Sequence, residues 1–348
     1  MPHLTAAQVH VDAPLTDISV AFLQAADNYL AARVFPVVPV AKQSDVIFRH
    51  SPGDLLRDEA EIRAPGAESA GSAVSIDHTL QYYCANYSLH EDVADQIAAN
   101  ADHPLAPKKD AAENVTQKLI TKSEVVWATN FFRSGVWTTD WTGAVGGTPG
   151  TAAPLWWGNA NANPCLDIDV AIQTIQGLTG YLANTVVLSP DVFYVCKNHP
   201  NVIDRIKYTI PWAQFTGAHA TAEMLAALWG VKRVLVAWAV RNTSGEGVAT
   251  AISNLFTNGV FVCYAADAPG IRKPSAGYTF AWNGYIGSTG GYQGGSPSGG
   301  GVGPAVPYIR MKQYRMEHLD SDRVEGDMPI DHRQVSADLG LFIDHVLS

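Results

Sequence analysis

The chain has 348 residues, enough to bury a large core as roughly two or three domains or as one elaborated fold. Its net charge is −10, with 16% of residues charged and 47% hydrophobic; no basic tail or domain marks a sequence-specific DNA reader, and the thin polar surface points to faces covered by partners. The four cysteines, Cys84, Cys165, Cys196 and Cys263, stand singly without CxxC spacing, which argues against a zinc ribbon and for buried free thiols in a reducing compartment.

The opening MPHLTAAQVHVDAP has neither a basic segment nor an apolar run, so it does not read as a signal peptide, and synthesis and residence in the cytoplasm are expected. No stretch approaches the roughly 18 apolar residues of a membrane span. Thr16 or Asp17 is placed to cap a short helix over ISVAFLQAADNYLA, and Phe35–Val40, broken twice by proline, must be extended. Such an arm has little of its own to bury and is expected to lie across another part of the chain or a neighbour.

Residues 44–83 predict a long two-stranded excursion, out over Asp45–His50 and back over the alternating Val74, Ile76, His78, Leu80 and Tyr82. Between them lie the charged DLLRDEAEIR and a soft tip, Ala64–Ala73. A helix is predicted over His90–Asn100. A second and much longer one follows over Pro107–Phe132, with apolar Ala112, Val115, Leu119, Ile120, Val126, Trp127 and Phe131 forming a broad stripe. Pro107 suits a first helical turn, and Asp110 with Glu113 has capping-box spacing.

Residues 134–166 turn to Thr, Gly, Ala, Asn and Pro around Trp137, Trp141, Trp156 and Trp157, whose indoles must be buried for such an irregular segment to be tolerated. Asp167 or Asp169 is expected to cap a helix over Val170–Leu182. Then come a strand at Thr185–Leu188, a helix from Ser189-Pro190-Asp191 through Lys197, and a helical turn over Pro200–Lys207. Helix Glu223–Trp229, buried strands over Val231–Arg241 and Asn258–Tyr264, a glycine-rich loop over 284–304, Pro307–His318, a polar turn and a loosely alternating Gln334–Ile343 complete the chain. There is no internal repeat.

No catalytic constellation emerges. The glycine-rich run lacks the GK[ST] and following helix of a phosphate-binding loop, no GxSxG elbow or HExxH occurs, and Ser189 is better read as a helix start. Asp331-His332 and Asp344-His345 are sequence neighbours that do not converge on one face, which makes poor metal ligands. Asp58, Glu59 and Glu61 between Arg57 and Arg63 read as a solvated or interface charge face rather than a carboxylate site. No enzyme activity, cofactor or metal is expected.

The order of parts resembles the major capsid proteins of tailed bacteriophages, the HK97-fold family. The local likeness is most specific over Trp156–Lys207: Trp157, Asn163-Pro164, Gly180 with Asn184-Thr185, Ser189-Pro190, His199-Pro200 and the run Asp204-Arg205-Ile206-Lys207. The resemblance implies an α+β, HK97-like capsid fold divided into an N-terminal arm (1–43), an E-loop (44–83), a P-domain (84–183) that includes the spine helix (107–132) and the Trp-rich segment, an A-domain (184–306) and a return to the P-domain (307–348). It implies hexamers and pentamers in an icosahedral shell assembled in the host cytoplasm and carried in the virion, with scaffolding and portal proteins and a possible decoration protein. Such a shell encloses DNA without reading its sequence and needs no membrane. The E-loop, with Arg57, Asp58, Glu59, Glu61 and Arg63, is expected to pair with an adjacent subunit. Two departures are visible: no lysine lies between Lys42 and Lys108 to serve a covalent Lys–Asn crosslink, and no long charged N-terminal scaffolding segment is present. The other readings are an encapsulin-like compartment shell and a soluble ligand-binding protein using the Trp-rich segment as a stacking platform.

Overall fold

The computed structural model describes residues 24–50, 52–101, 105–207, 220–270, 273–286 and 309–347. The first six residues of the helix expected over Ile18–Ala31 lie outside them. Its described end is a 3-10 turn, Ala26–Asn28, followed by a short helix α1 (Ala31–Val34). Pro36 then imposes extended backbone, and β1 (Val37–Val40) pairs in parallel with a strand far along the chain.

The excursion over 44–83 is present as two short antiparallel ladders. Strand β2 (Ser44–Val46) and β3 (Arg49–His50) lead out to a helical turn α2 (Pro52–Leu55); β4 (Ile76–Asp77) returns beside β3, and β5 (Gln81–Tyr83) beside β2. The helix expected over His90–Asn100 is a correction. Strand β6 (Ala85–Ala94) runs through most of that range and only α3 (Asp95–Ala99) is helical. Tyr87, Leu89 and Val93 alternate inward, and every residue of β6 has a cross-strand partner, which outweighs the local helical pattern.

The long helix α4 (Pro107–Phe131) forms with Pro107 in its first turn. The capping box does not form: Ala106 occupies the cap without a side-chain bond, and Glu113 pairs instead with Lys109 at 3.7 Å. Its buried face is also narrower and more polar than the predicted stripe. Ala111, Val115, Leu119, Ser123, Trp127 and Phe131 form one row at four-residue spacing, joined by Glu124 and Ala128, whereas Ala112, Ile120 and Val126 are half-buried.

Beyond α4, β7 (Thr139–Thr142) interrupts the Trp-rich segment. Helix α5 (Pro164–Thr179) starts earlier than predicted, because Asn163, not Asp167 or Asp169, caps it by accepting from the Leu166 N–H; Gly180, at φ 75°, ends it. Strand β8 (Thr185–Leu188), α6 (Pro190–Lys197) and α7 (Pro200–Lys207) match their predicted positions, and α8 (Ala222–Leu228) is capped by Thr221. The strand expected over Val231–Arg241 is two, β9 (Arg233–Val236) and β10 (Val240–Asn242), because the backbone changes partner from β8 to β11 (Ile252–Asn254). Strand β12 (Gly259–Cys263) follows, then β13 (Gly277–Trp282), which the pattern did not reveal, and a helical turn α9 (Asn283–Ile286). Most of the glycine-rich loop lies outside the described residues. Strand β14 (Arg310–Met316) turns through Glu317–Leu319 into β15 (Ser321–Gln334), and β16 (Gly340–Asp344) closes the chain.

Two sheets result. The first runs β1-β13-β15-β14, with β6 also paired to β15; the second runs β7-β16-β12-β8-β9. Helix α4 belongs to both cores. Val115 and Leu119 pack on Met328, Ile330 and Ala281 of the first sheet, and Trp127, Ala128 and Phe131 enter the large cluster around Phe261, Phe342 and Leu188 of the second.

Strand β15 is polar yet largely buried, because its charges are paired. Arg323 meets Asp92 directly across the β6 register with a two-pronged contact of 2.7 and 2.9 Å. Asp327, 1% exposed, accepts from Arg310 (3.0 Å), Lys312, Ser88 (2.7 Å) and Asn86 (3.2 Å). Burial alone pushes its carboxyl up, but these donors together outweigh it and hold Asp327 well below the usual carboxylate range.

Gly326 lies beneath the helix, where an added Cβ would stand 2.7 Å from Leu119 Cδ1 and 2.8 Å from Val115 Cγ1. Gly326→Val is expected to cost about 1–3 kcal/mol by overpacking. The check is a lower urea midpoint at unchanged slope; a midpoint equal to the parent's would contradict this contact.

Candidate functional site: an exposed hairpin and a buried arm junction

Beyond its two ladders the hairpin is irregular and exposed from residue 60 to residue 75. Its charges partly satisfy one another. Arg57 binds Asp54 (3.1 Å) and Glu59 (3.0 Å), Arg49 binds Asp77 (2.7 Å), Asp54 accepts from both the N–H and the hydroxyl of Ser75, and Arg63 donates to the Ala67 carbonyl. Asp58 and Glu61 are exposed. Apolar groups among these charges are equally open to water. Phe48, Leu55, Leu56, Ile62 and Ile76 are 71%, 60%, 65%, 103% and 52% exposed. Their signal was in plain view, as Leu55-Leu56 and Ile62 inside DLLRDEAEIR.

The arm is fixed at a polar junction inside the molecule. Glu124, 1% exposed on α4, accepts the Leu30 N–H at Oε1 and the Ala31 N–H at Oε2, both at 2.9 Å, so one carboxylate serves the first turn of α1. One residue earlier on the helix, the Ser123 hydroxyl lies 3.1 Å from Nε2 of the buried His332. His332 Nδ1 lies 2.8 Å from Thr279 Oγ1, and that hydroxyl donates to the Phe35 carbonyl at 3.0 Å. With its proton directed at Phe35, Thr279 must accept from Nδ1–H, which leaves Nε2 to accept from Ser123: a neutral imidazole. Burial pushes His332 down to about 4, against the Ser123 carbonyl, which pulls it up. Burial pushes the Glu124 carboxyl up to about 7, against its two backbone N–H partners. Phe35 itself packs edge-on against Trp127 at 5.6 Å and tilted against Phe131 at 4.9 Å.

The Trp-rich segment is structural. Trp137, Trp141 and Trp157 are buried; Trp137 Nε1 donates to the Phe131 carbonyl, and Trp157 Nε1 to the fully buried Asp167. That closes off the stacking platform imagined for a soluble ligand-binding protein. His199, on the turn into α7, bonds the Asn159 carbonyl at 3.1 Å, and Asn201 bonds that of Ala162 at 2.6 Å, stitching the segment to the second sheet's helices. All four cysteines are free and buried, and burial holds the Cys84 and Cys263 thiols at about 12. Among the described residues no group of three or more His, Cys, Asp or Glu is placed to hold a metal ion, and no helix is long and apolar enough to cross a membrane.

No protein-family model and no curated protein matches this sequence. Solved structures do. A phage-related protein from Bordetella bronchiseptica RB50 aligns over 92% of both chains with 21% identity and a TM-score of 0.63. The capsid of cyanophage P-SCSP1u aligns over 100% of this chain and 96% of that one, at 12% identity and TM-score 0.56. An encapsulin from Synechococcus elongatus PCC 7942 aligns over 99% and 96%, at 11% identity and TM-score 0.52. The chain has the HK97 fold.

In that fold the hairpin is the E-loop and α4 the spine helix. Of the five residues singled out in the E-loop, the structure brings Arg57 and Glu59 together and leaves Asp58, Glu61 and Arg63 apart. Of the residues that join spine, arm and sheet, His332 is weighed from the sequence only as a poor metal ligand beside Asp331, and Ser123, Glu124 and Thr279 are not singled out, because in a single sequence a buried polar residue looks like a break in the apolar pattern.

His332 carries a folded-state value below that of a free histidine, so the stability it contributes is complete above about pH 6.5 and is lost as pH falls through about 4. The interval corresponds to about 3 kcal/mol. His332→Asn is expected to flatten this acid limb of a denaturation series; parallel pH profiles for parent and variant would contradict it.

Proposed function

We propose that this chain is the repeating subunit of an icosahedral shell, and that it is the major capsid protein of a tailed phage. The observation that carries the reading is an HK97 fold whose E-loop holds apolar side chains at more than half exposure, with nothing among the described residues to cover them. A monomer gains nothing by presenting Phe48, Leu55, Leu56 and Ile62 to water; a subunit laying this loop on its neighbour buries them. At about 25 cal/mol per Å² even a modest apolar contact, repeated over every copy, stabilises a closed shell. Arg57, Asp58, Glu59, Glu61 and Arg63 would form the polar rim of that contact. Under this reading the subunits form hexamers and pentamers, with scaffolding, portal and decoration proteins as partners. The DNA inside is confined by the wall and its accompanying cations rather than by a basic lining.

A second reading, a compartment shell, has the encapsulin likeness over 99% of the chain in its favour. Particles from the expressed chain discriminate them. DNA-packaging heads with a portal vertex support the capsid, cargo-loaded closed shells the compartment, and a monodisperse monomer at all concentrations removes both.

Deletion of Pro52–Ser72 is expected to leave a folded subunit, because the ladders of β2 with β5 and the sheets are untouched, but to abolish stable particles in electron micrographs. Normal shells from that variant would refute the E-loop contact. Arg63→Glu should weaken assembly only modestly, by about 0.2–1 kcal/mol per contact, and more so at low salt than at high.

A further inference from the structure

The exposed hairpin sets two conditions on whatever covers it. Asp54–Arg63 carries four carboxylates against two guanidinium groups, with Leu55, Leu56 and Ile62 open to water among them. Arg57 is taken up by Asp54 and Glu59, and Asp58 and Glu61 enter no ion pair among the described residues. A complementary surface is therefore apolar and holds an uncommitted cation.

Such a surface lies beside the second sheet. Where β9 gives way to β10, the alternating backbone buries Ala237 and Ala239 and turns Trp238 outward, 37% exposed. Helix α6 buries Val192, Phe193 and Cys196, and its outer side presents Tyr194, 52% exposed, and Lys197. Their three-residue spacing puts the Lys197 ammonium over the Tyr194 ring, 4.5 Å from its centre. Trp238 stands edge-on to both Phe193 (5.8 Å) and Tyr194 (5.7 Å), so the rings brace one another and the surface is already formed in the single chain. Among the described residues Lys197 enters no ion pair.

We propose that the surface formed by Tyr194, Trp238 and Lys197 is the seat on which the hairpin of a second copy docks, with Ile62 against the rings and Glu61 against the Lys197 ammonium. The proposal rests on the shell reading and names the neighbour's half of that contact. Within one chain the hairpin does not reach this surface, since both remain exposed.

Other exposed surfaces meet only one of the two conditions. Helix α4 offers Lys118 and Lys122 to water, but none of its described residues is a large exposed apolar side chain. Leu178, Tyr181 and Leu182, around the end of α5, are exposed and apolar, and Tyr181 packs on another ring, that of Tyr264, rather than under a cation. Tyr314 is exposed but donates to Glu325, whose charge repels an acidic segment.

The test is assembly of the full-length chain, read as the lowest concentration that gives particles by light scattering. Trp238→Ala, with the parent's circular dichroism, should raise that threshold by about tenfold or more. Lys197→Glu and Glu61→Lys should each raise it by roughly fivefold, less at high salt, and the two together should recover most of the loss. Hydroxyl-radical footprinting of the parent needs no variant: oxidation of Trp238, Tyr194 and Ile62 should all fall in particles relative to dispersed subunits. Unchanged oxidation on either side, a parent-like threshold in Trp238→Ala or Lys197→Glu, or no recovery in the swapped pair would each overturn this seat. Should any of these occur while deletion of Pro52–Ser72 still abolishes particles, the E-loop contact stands and only its seat is wrong. A parent that stays monomeric at every concentration removes both.

Discussion

One row of side chains on one helix holds the molecule together. Ala111, Val115, Leu119, Ser123, Trp127 and Phe131 lie on a single line of α4, and that line serves two cores in succession. Its first half lies on the first sheet, where Gly326 of β15 is bare enough to let Leu119 and Val115 approach. Its second half drives Trp127 and Phe131 among Phe35, Phe256 and Phe261 beside the second sheet. Neither sheet is closed without it, and the sheets are further tied by the chain's return, which places β16 beside β12. The helix spans 25 residues, and packing against both cores, rather than local propensity, supplies most of its stability.

Where the row passes from one core to the other it turns polar. Ser123 and Glu124 sit at that changeover, and their partners, His332, Thr279 and the arm backbone, come from three other parts of the chain. A buried polar network of this kind is costly unless each group is satisfied, and here each is. It also fixes one arrangement of arm, helix and sheet, which an apolar seam of the same shape would leave free to slide. Burial drives the two titratable members in opposite directions, the His332 imidazole downward and the Glu124 carboxyl upward.

The rest of the molecule divides its charge in the same spirit. Strand β15 pairs Arg323 with Asp92 of β6 and buries Asp327 among donors from β6 and β14, whereas the hairpin leaves several charged and apolar groups in water. Rigid where two sheets and a helix meet and uncovered at the hairpin, the structure separates the part that must hold its shape from the part that still has surface to bury.

The sequence by itself determined the elements whose signals are local. The proline-started long helix, the extended Phe35–Val40, the Thr185–Leu188 strand with its Pro190 and Pro200 helices, and the four buried thiols all rest on backbone sterics or side-chain burial within a few residues. The order of these parts was enough to suggest the fold. Only the tertiary structure decided what depends on a distant partner. Strand β15 reads as a charged, proline-broken stretch until β6 and β14 supply counter-charges beside it, and β6 reads as part helix until β15 lies beside it. Glu124 and His332 look like polar interruptions until the arm and β13 reach them. Hydrophobic periodicity records which face of an element is buried; it carries no record of which polar group, a hundred or two hundred residues away, will be there to pair with it.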